Sequence, residues 1–343
     1  MTSTLVLVVI ICLVALAFDF TNGFHDAANA IATAVATRAL TTRQALTLAA
    51  VMDFTGAMLG TGVAETIGKE IVDISPPDGS DGVSHIGLII ILGALIGAIV
   101  WNLITWWFGL PSSSSHALIG AMAGGGIVGI GFSAVYWGAI VEKVVVPMVV
   151  SPIVGFGLAF IAMKITLRLL RNASYKATMR GFRRAGIFAA AAMALGHGLQ
   201  DAQKTMGIVF MALVAGDLID PNAGIPLWVK LAAALAIASG TFSGGQRIMK
   251  TLGNKIIDMD PSRGFIAQMV SASVLYFTAF AWHAPISTTH VVTTSIMGVG
   301  ATKRKSAVRW GITRTIVSAW IFTLPAAALV SGAITGVLVL IFT

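Results

Sequence analysis

The chain has 343 residues, of which 57% are hydrophobic and only 10% are charged, and its mean hydropathy is +0.89. Soluble globular chains carry about 25% charged residues, and apolar runs of about 20 residues are long enough to cross a bilayer. The composition therefore excludes a soluble protein and predicts an all-α polytopic membrane protein. The single cysteine, Cys12, excludes a disulfide framework and a cysteine metal site. The net charge of +8 indicates topology, because basic residues of a membrane chain mark its cytoplasmic side, and nucleic acid is not expected as a partner.

In chain order, the hydropathy pattern predicts at least five membrane segments in each half. The first half contains segments over 4–37, 43–67, 85–108, 111–131 and 135–163. The second half contains segments over 185–215, 227–247, 264–283, 285–302 and 310–342. The first segment lacks a basic start and a cleavage site, so we expect a retained span and not a signal peptide. The first segment of each half is longer than one span requires, which predicts a broken or re-entrant helix at the polar motif it contains.

Two pairs of motifs recur at nearly one sequence offset. Asp26 in "NGFHDAANAIATAV" and Asp201 in "GHGLQDAQKTMGIV" differ by 175 positions, and His116 and His290 differ by 174. Two independent motif pairs separated by half the chain length indicate an internal duplication. We predict one transmembrane repeat over 1–163 and another over 185–343, joined by a linker over 164–184.

The charges of matched loops indicate that the two repeats have opposite orientations. The linker over 164–184 contains seven basic residues and no acidic residue, which predicts a cytoplasmic position. The loop containing Arg38 and Arg43 is basic, whereas its counterpart contains Asp217 and Asp220. The repeats are therefore expected to be inverted, with both termini outside a cell (inner or plasma) membrane and with bilayer lipid as the surrounding partner.

The first motif of each repeat places hard oxygen ligands inside an apolar segment. Asn22, Asp26 and Asn29 in the first half can bind a small cation, and Asp201 is the equivalent carboxylate in the second half. Carboxylates within a membrane segment are functional candidates because burying their charge is costly. Inverted repeats with such polar segments predict a transporter site near the bilayer midplane.

The second motif of each repeat, "PSSSSH" or "PISTTH", resembles a helix start rich in hydroxyl groups. Free N–H groups at a helix start form an anion site, which two such motifs can share. The candidate substrate-binding residues are Ser113, Ser114, Ser115, Ser287, Thr288, Thr289 and Gln203.

Several other polar residues accompany these motifs. We expect His116 and His290 to form hydrogen bonds at the helix starts, without a metal, and His25 and His197 are candidates for a proton relay. Asp19 and Asp53 have no equivalent at the repeat offset, so internal pairing or an interface is expected.

The segments "NGFHDAANAIATAV", "HGLQDAQKTMGIV", "PSSSSHALIG", "PISTTH" and "VVSPIVGF" together resemble the inorganic phosphate transporter (PiT) family, especially its bacterial low-affinity members. The resemblance covers nearly the whole chain. It implies symport of inorganic phosphate with a cation, no enzymatic activity and no resident cofactor. It also implies that the Asp and Asn side chains of the first motifs (Asp26, Asn29 and Asp201) bind coupling ions, while the Ser/Thr runs hold phosphate. Whether the protein forms a homodimer is left open at this point.

One position departs from the family pattern. Lys204 stands where Asn29 stands in the first repeat, and an ammonium group has donors but no acceptor lone pair. Lys204 is therefore expected to pair with Asp201 as a tethered cation. This substitution favours the proton-coupled branch of the family, whose members carry phosphate with a divalent metal, although sodium coupling stays open. The alternative functions are a sulfate or other tetrahedral oxyanion symporter on the same scaffold, a channel, and a membrane enzyme.

Overall fold

The computed structural model describes residues 2–60, 71–74, 84–220, 222–282 and 286–342, and every long element in these ranges is helical. The first half contains α1 (Thr2–Ala36), α2 (Thr42–Met58), α3 (His85–Trp107), α4 (Ser114–Gly129) and α5 (Val146–Leu169). A short helix, Trp137–Ile140, and a π-helical turn, Val141–Val145, lead directly into α5. The second half contains α6 (Tyr175–Ala215), α7 (Leu227–Ser243), α9 (Pro261–Phe277), α10 (Thr288–Ala301) and α11 (Trp310–Phe342). The short helix α8 (Gln246–Lys250) and a π-helical turn, Thr251–Lys255, follow α7.

The two halves contain corresponding helices, and the packing between them is reciprocal. The first helix of each half packs on the second helix of the other half, so that α1 lies on α7 and α6 lies on α2. In the same way α4 packs on α11, while α10 packs on α5. A two-fold relation between the halves would produce this reciprocal pattern, which agrees with the predicted duplication. The opposite membrane orientation of the halves, the outer position of the termini and the domain boundaries stay predictions.

Five of the described helical segments are long and apolar enough to cross a membrane, and a sixth is counted if the bent pair Leu227–Ser243 and Gln246–Lys255 forms one span. The bend in that pair is 55°. The number is smaller than the ten predicted segments because several of these correspond to shorter or more polar helices. With a rise of 1.5 Å per residue, α4 and α10 are only about 24 and 21 Å long, less than the thickness of the hydrocarbon core.

The predicted helix break within the first segment of each half is absent from the structure, so this prediction is wrong. Both α1 and α6 are continuous helices through their Asp motifs. The interruptions lie instead at the hydroxyl motifs, where α4 and α10 begin in the interior of the protein with their first residues buried. Side chains satisfy the two motif acids without an opening of the backbone. Asp26 has partners on its own helix and on α4 and α10, and the partners of Asp201 lie on α6 itself.

The predicted linker is shorter in the structure than in the sequence analysis. Helix α5 continues to Leu169 and α6 begins at Tyr175, which leaves only the turn 170–174 between the two helices. Most residues of the basic segment are exposed, and they form the protruding ends of these two helices. Elsewhere the outer surface exposes large apolar side chains such as Leu13, Ile153 and Leu329, as expected of helices that face lipid.

Candidate functional site

The predicted site residues converge in the interior, where α1 and α6 pack against each other and the starts of α4 and α10 approach them. The hydroxyl motifs form helix caps as predicted. Ser113 is the N-cap of α4 and accepts a hydrogen bond from the backbone N–H of His116 at 3.2 Å. Ser287 is the N-cap of α10 and accepts one from His290 at 3.3 Å. The two caps are equivalent at the 174-residue offset.

Each first motif contacts the hydroxyl motif of the opposite half. The Asn29 amide Nδ2 donates to Thr289 Oγ1 at 2.8 Å and lies 3.5 Å from Thr288 Oγ1. The Lys204 ammonium donates to the Ser115 hydroxyl. Asn29 and Lys204 are equivalent at the repeat offset, as are Thr289 and Ser115. The two contacts are therefore related by the duplication, and they bring four helices to one place.

Asp26 lies between the two hydroxyl motifs. Its carboxylate accepts hydrogen bonds from Ser114 and Thr289, each at 3.4 Å, so it contacts one residue from each half. The neighbouring His25 places Nδ1 at 2.7 Å from Asp26 Oδ1. On the other side of the ring, His25 Nε2 lies 3.2 Å from Thr105 Oγ1. The imidazole thus links the acid to a hydroxyl group at the end of α3.

The structure places the Lys204 ammonium against the Asp201 carboxylate, as the sequence predicts. Both side chains are almost completely buried, and they are one helical turn apart on α6. Because an ammonium group offers three donors, Lys204 can hold Asp201 and Ser115 at once.

Asp53 is a site residue that sequence reasoning did not select. Its carboxylate lies 3.0 Å from Nδ1 of His197 and accepts a hydrogen bond from Thr241 at 2.5 Å. His197 Nε2 lies 3.1 Å from Asp201 Oδ2, so the imidazole bridges two buried acids. The expected internal pairing of Asp53 is thereby confirmed. Its only sequence signal was the charge itself within an apolar segment.

Three potential metal ligands also come together. One ligand atom each from Asp26, His197 and Asp201 lie within 4.8 Å of one another, and all three residues are buried. The sequence predicted no metal site, because no motif contains ligands at suitable spacing. The grouping arises only because α1 and α6 pack together. A divalent cation could be held there by two carboxylates and an imidazole.

The remaining candidates have diverse surroundings. The Gln203 side chain donates to the Leu199 carbonyl of its own helix at 2.7 Å. The side-chain atoms of Asn22 are buried and have no hydrogen-bond partner within the described ranges. His116 and His290 lie against each other with ring centres 4.9 Å apart, and His290 also stacks on Trp320. The last contact is one that local sequence spacing gives no reason to expect.

A helical membrane fold with acids, an ammonium group and hydroxyl-rich helix starts buried between two related halves defines a membrane transport protein. The sequence model of the phosphate transporter family (PHO4) matches residues 22–331. A probable low-affinity inorganic phosphate transporter of Bacillus subtilis is 46% identical over 324 residues, covering 94% of this chain and 95% of the relative. A protein of the same description from Rhizobium meliloti is 44% identical over 323 residues, covering 93% and 92%.

A solved structure gives the same result. It is described as the sodium-dependent phosphate transporter, is 28% identical to this chain and superimposes with a TM-score of 0.86. The alignment covers 98% of this chain and all of the other. The chain belongs to the phosphate transporter family. Its relatives are transporters and not enzymes, which confirms the resemblance found in the sequence.

Proposed function

We propose that this protein imports inorganic phosphate together with a coupling cation, and that phosphate binds between the starts of α4 and α10. The pair of repeat-related contacts, Asn29 with Thr289 and Lys204 with Ser115, carries this proposal. These contacts bring both hydroxyl motifs and both acidic motifs to one buried place. Family membership favours phosphate over the sulfate alternative.

The helix starts supply the chemistry for an anion. The first backbone N–H groups of a helix have no acceptor within that helix, and their partial positive charge attracts negative groups. In α4 these groups belong to Ser114 and Ser115, and in α10 they belong to Thr288 and Thr289. Their hydroxyl groups add further donors. Phosphate held at this point would replace the hydrogen bonds that the hydroxyls now make to Asp26.

The acidic motifs supply the compensating charge. Asp26 and the side-chain oxygen Oδ1 of Asn29 offer oxygen ligands for one coupling cation. This Asn29 oxygen has no hydrogen-bond partner within the described residues. In the second half, Lys204 neutralises Asp201 and serves as a tethered cation beside phosphate. At the two Asp motifs, a carrier of this type binds one mobile cation fewer than a carrier with asparagine in both motifs. This count favours proton coupling, with a divalent metal accompanying phosphate.

The imidazoles complete a polar connection through the site. His25 joins Asp26 to Thr105, and His197 joins Asp201 to Asp53. An imidazole that contacts acids on both sides can accept a proton at one nitrogen and release one from the other. The two histidines are therefore proposed as a proton relay. Gln203 is retained as a candidate ligand of phosphate.

Uptake of radiolabelled phosphate into proteoliposomes tests the proposal. Proton, sodium and divalent-metal gradients are imposed one at a time, with unlabelled sulfate as the competitor. The double variant Ser114→Ala/Ser115→Ala should raise the phosphate KM by about ten- to a hundredfold, because losing one hydrogen bond to a charged group costs roughly 1.5–3 kcal/mol. An unchanged KM in this variant, or equal competition by sulfate and phosphate, would contradict the assigned anion site.

A further inference from the structure

Asp19 is a buried acid that the proposed site does not use. It lies on α1, two helical turns before Asp26, and has 0% exposure. Neither carboxylate oxygen has a partner in hydrogen-bonding geometry among the described residues. The same holds for the amide of Asn22 on the next turn, and the hydroxyl of Thr205 on α6 approaches Asp19 without reaching that geometry. Three unpartnered oxygen-bearing side chains thus lie together in the interior.

The cations near Asp19 are committed to other acids. The titratable groups that face it are Asp201, His197 and Lys204 on α6, while His25 and Asp26 lie farther along its own helix. Lys204 contacts Asp201 and Ser115, and His197 lies between Asp53 and Asp201. An isolated carboxylate in a dry interior is strongly disfavoured. Asp19 therefore requires a further positive charge.

Comparison of the two predicted repeats indicates which cation the additional positive charge at Asp19 would replace. At the repeat offset, Asp19 corresponds to Ala194, so the acid is present in the first half alone. Lys204 corresponds to Asn29, so the fixed ammonium is present in the second half alone. These two departures from two-fold symmetry have opposite charge. The second half has filled one cation position permanently. The first half has two extra carboxylates, of which Asp53 is held by His197 and Thr241, so that Asp19 is the one that can take up a mobile cation.

We propose that Asp19, together with Asn22 and Thr205, holds an exchangeable coupling cation in place of the one that Lys204 has displaced. This inference rests on the proposed function. The ligand chemistry is a single positive charge, which a proton or a sodium ion can supply. A proton needs one carboxylate oxygen, whereas a sodium ion would also use the Asn22 carbonyl oxygen and the Thr205 hydroxyl. The site thus adds one mobile charge to each transport cycle.

The variants Asp19→Asn and Asp19→Glu test this site in proteoliposomes. Asparagine keeps the shape of the neutral acid but cannot release a proton or attract a cation. A gradient of the coupling cation should accelerate phosphate uptake by the wild type several-fold. For Asp19→Asn, the ratio of uptake with the gradient to uptake without it should be near one. Asp19→Glu should keep the response with a shifted half-saturating cation concentration. A proton gradient at constant sodium and a sodium gradient at constant pH are applied separately. The gradient to which Asp19→Asn no longer responds identifies the cation.

Exchange of labelled for unlabelled phosphate without any gradient separates the two ideas. If the wild type fails to exchange phosphate, the proposed function itself is wrong. If the wild type exchanges phosphate and Asp19→Asn keeps the full gradient response, the function stands and the Asp19 site is refuted.

A second measurement covers the case in which Asp19→Asn does not fold. The double variant Asp19→Asn/Lys204→Asn removes one charge of each sign, so it should be expressed and should regain a cation response through its second Asp-x-x-Asn motif. The proposed charge compensation between Asp19 and Lys204 would be overturned if the double variant responds to the cation gradient no more than Asp19→Asn does. Where Asp19→Asn is unstable, it would be overturned if the double variant yields no more folded protein.

Discussion

The substitution Lys204→Asn gives the most direct access to the coupling mechanism. In the wild type the ammonium contacts the Asp201 carboxylate, and the two side chains are only 3% and 2% exposed. Removing one partner of a buried ion pair costs about 3–5 kcal/mol. His197 lies 3.1 Å from the other carboxylate oxygen and provides partial compensation, so the lower value applies. The uncompensated Asp201 carboxylate also repels an incoming phosphate anion, and a repulsion of about 3 kcal/mol corresponds to roughly a 150-fold loss of affinity.

We therefore expect Lys204→Asn to bind phosphate about a hundredfold more weakly than the wild type in sodium-free medium. Asparagine recreates the Asp-x-x-Asn motif of the first half, so sodium should restore most of the lost affinity. The assay is the apparent phosphate KM in proteoliposomes over a series of sodium concentrations at fixed pH. The matched control is Lys176→Asn, the same change at an exposed position of α6, which should leave the KM unchanged.

Two results would refute this reasoning. The first is a Lys204→Asn variant whose phosphate KM is independent of sodium. The second is an Asp19→Asn variant with steep sodium dependence and a Hill coefficient of about two, which would mean that sodium fills both Asp motifs and that Lys204 does not occupy a cation position.

Three further predictions concern the site and the packing around it. Asp26→Asn should nearly abolish phosphate uptake while normal amounts of protein reach the membrane, and wild-type rates would contradict its role. The double variant Thr288→Ala/Thr289→Ala should raise the phosphate KM by about ten- to a hundredfold, and an unchanged KM would exclude these hydroxyls from the anion site. Gly198→Ala would force its methyl group into the backbone of α2 and should destabilise the protein by about 1–3 kcal/mol, measured as a lower thermal midpoint. Gly186→Ala on the same helix has open space around it and serves as the control, which should be at least as stable as the wild type.

The sequence by itself determined the class of the protein and predicted most of the polar residues that the structure buries together. Composition indicated a helical membrane chain, and the repeated motifs indicated a duplicated carrier. It also determined local contacts. Ser113 and Ser287 are helix caps, and Lys204 pairs with Asp201, because these interactions join residues three positions apart, where helical geometry fixes the distance.

Tertiary structure decided the contacts between elements that are distant in sequence. The approach of Asn29 to Thr289 spans 260 residues, and that of His197 to Asp53 spans 144. The isolation of Asp19 is also visible only once α1 lies on α6. The same contacts explain why the expected breaks in α1 and α6 do not occur. A polar side chain inside an apolar helix can be satisfied by opening its own backbone or by a neighbouring helix. Only the packing determines which of the two happens at Asp26, because two of its partners, Ser114 and Thr289, come from other helices.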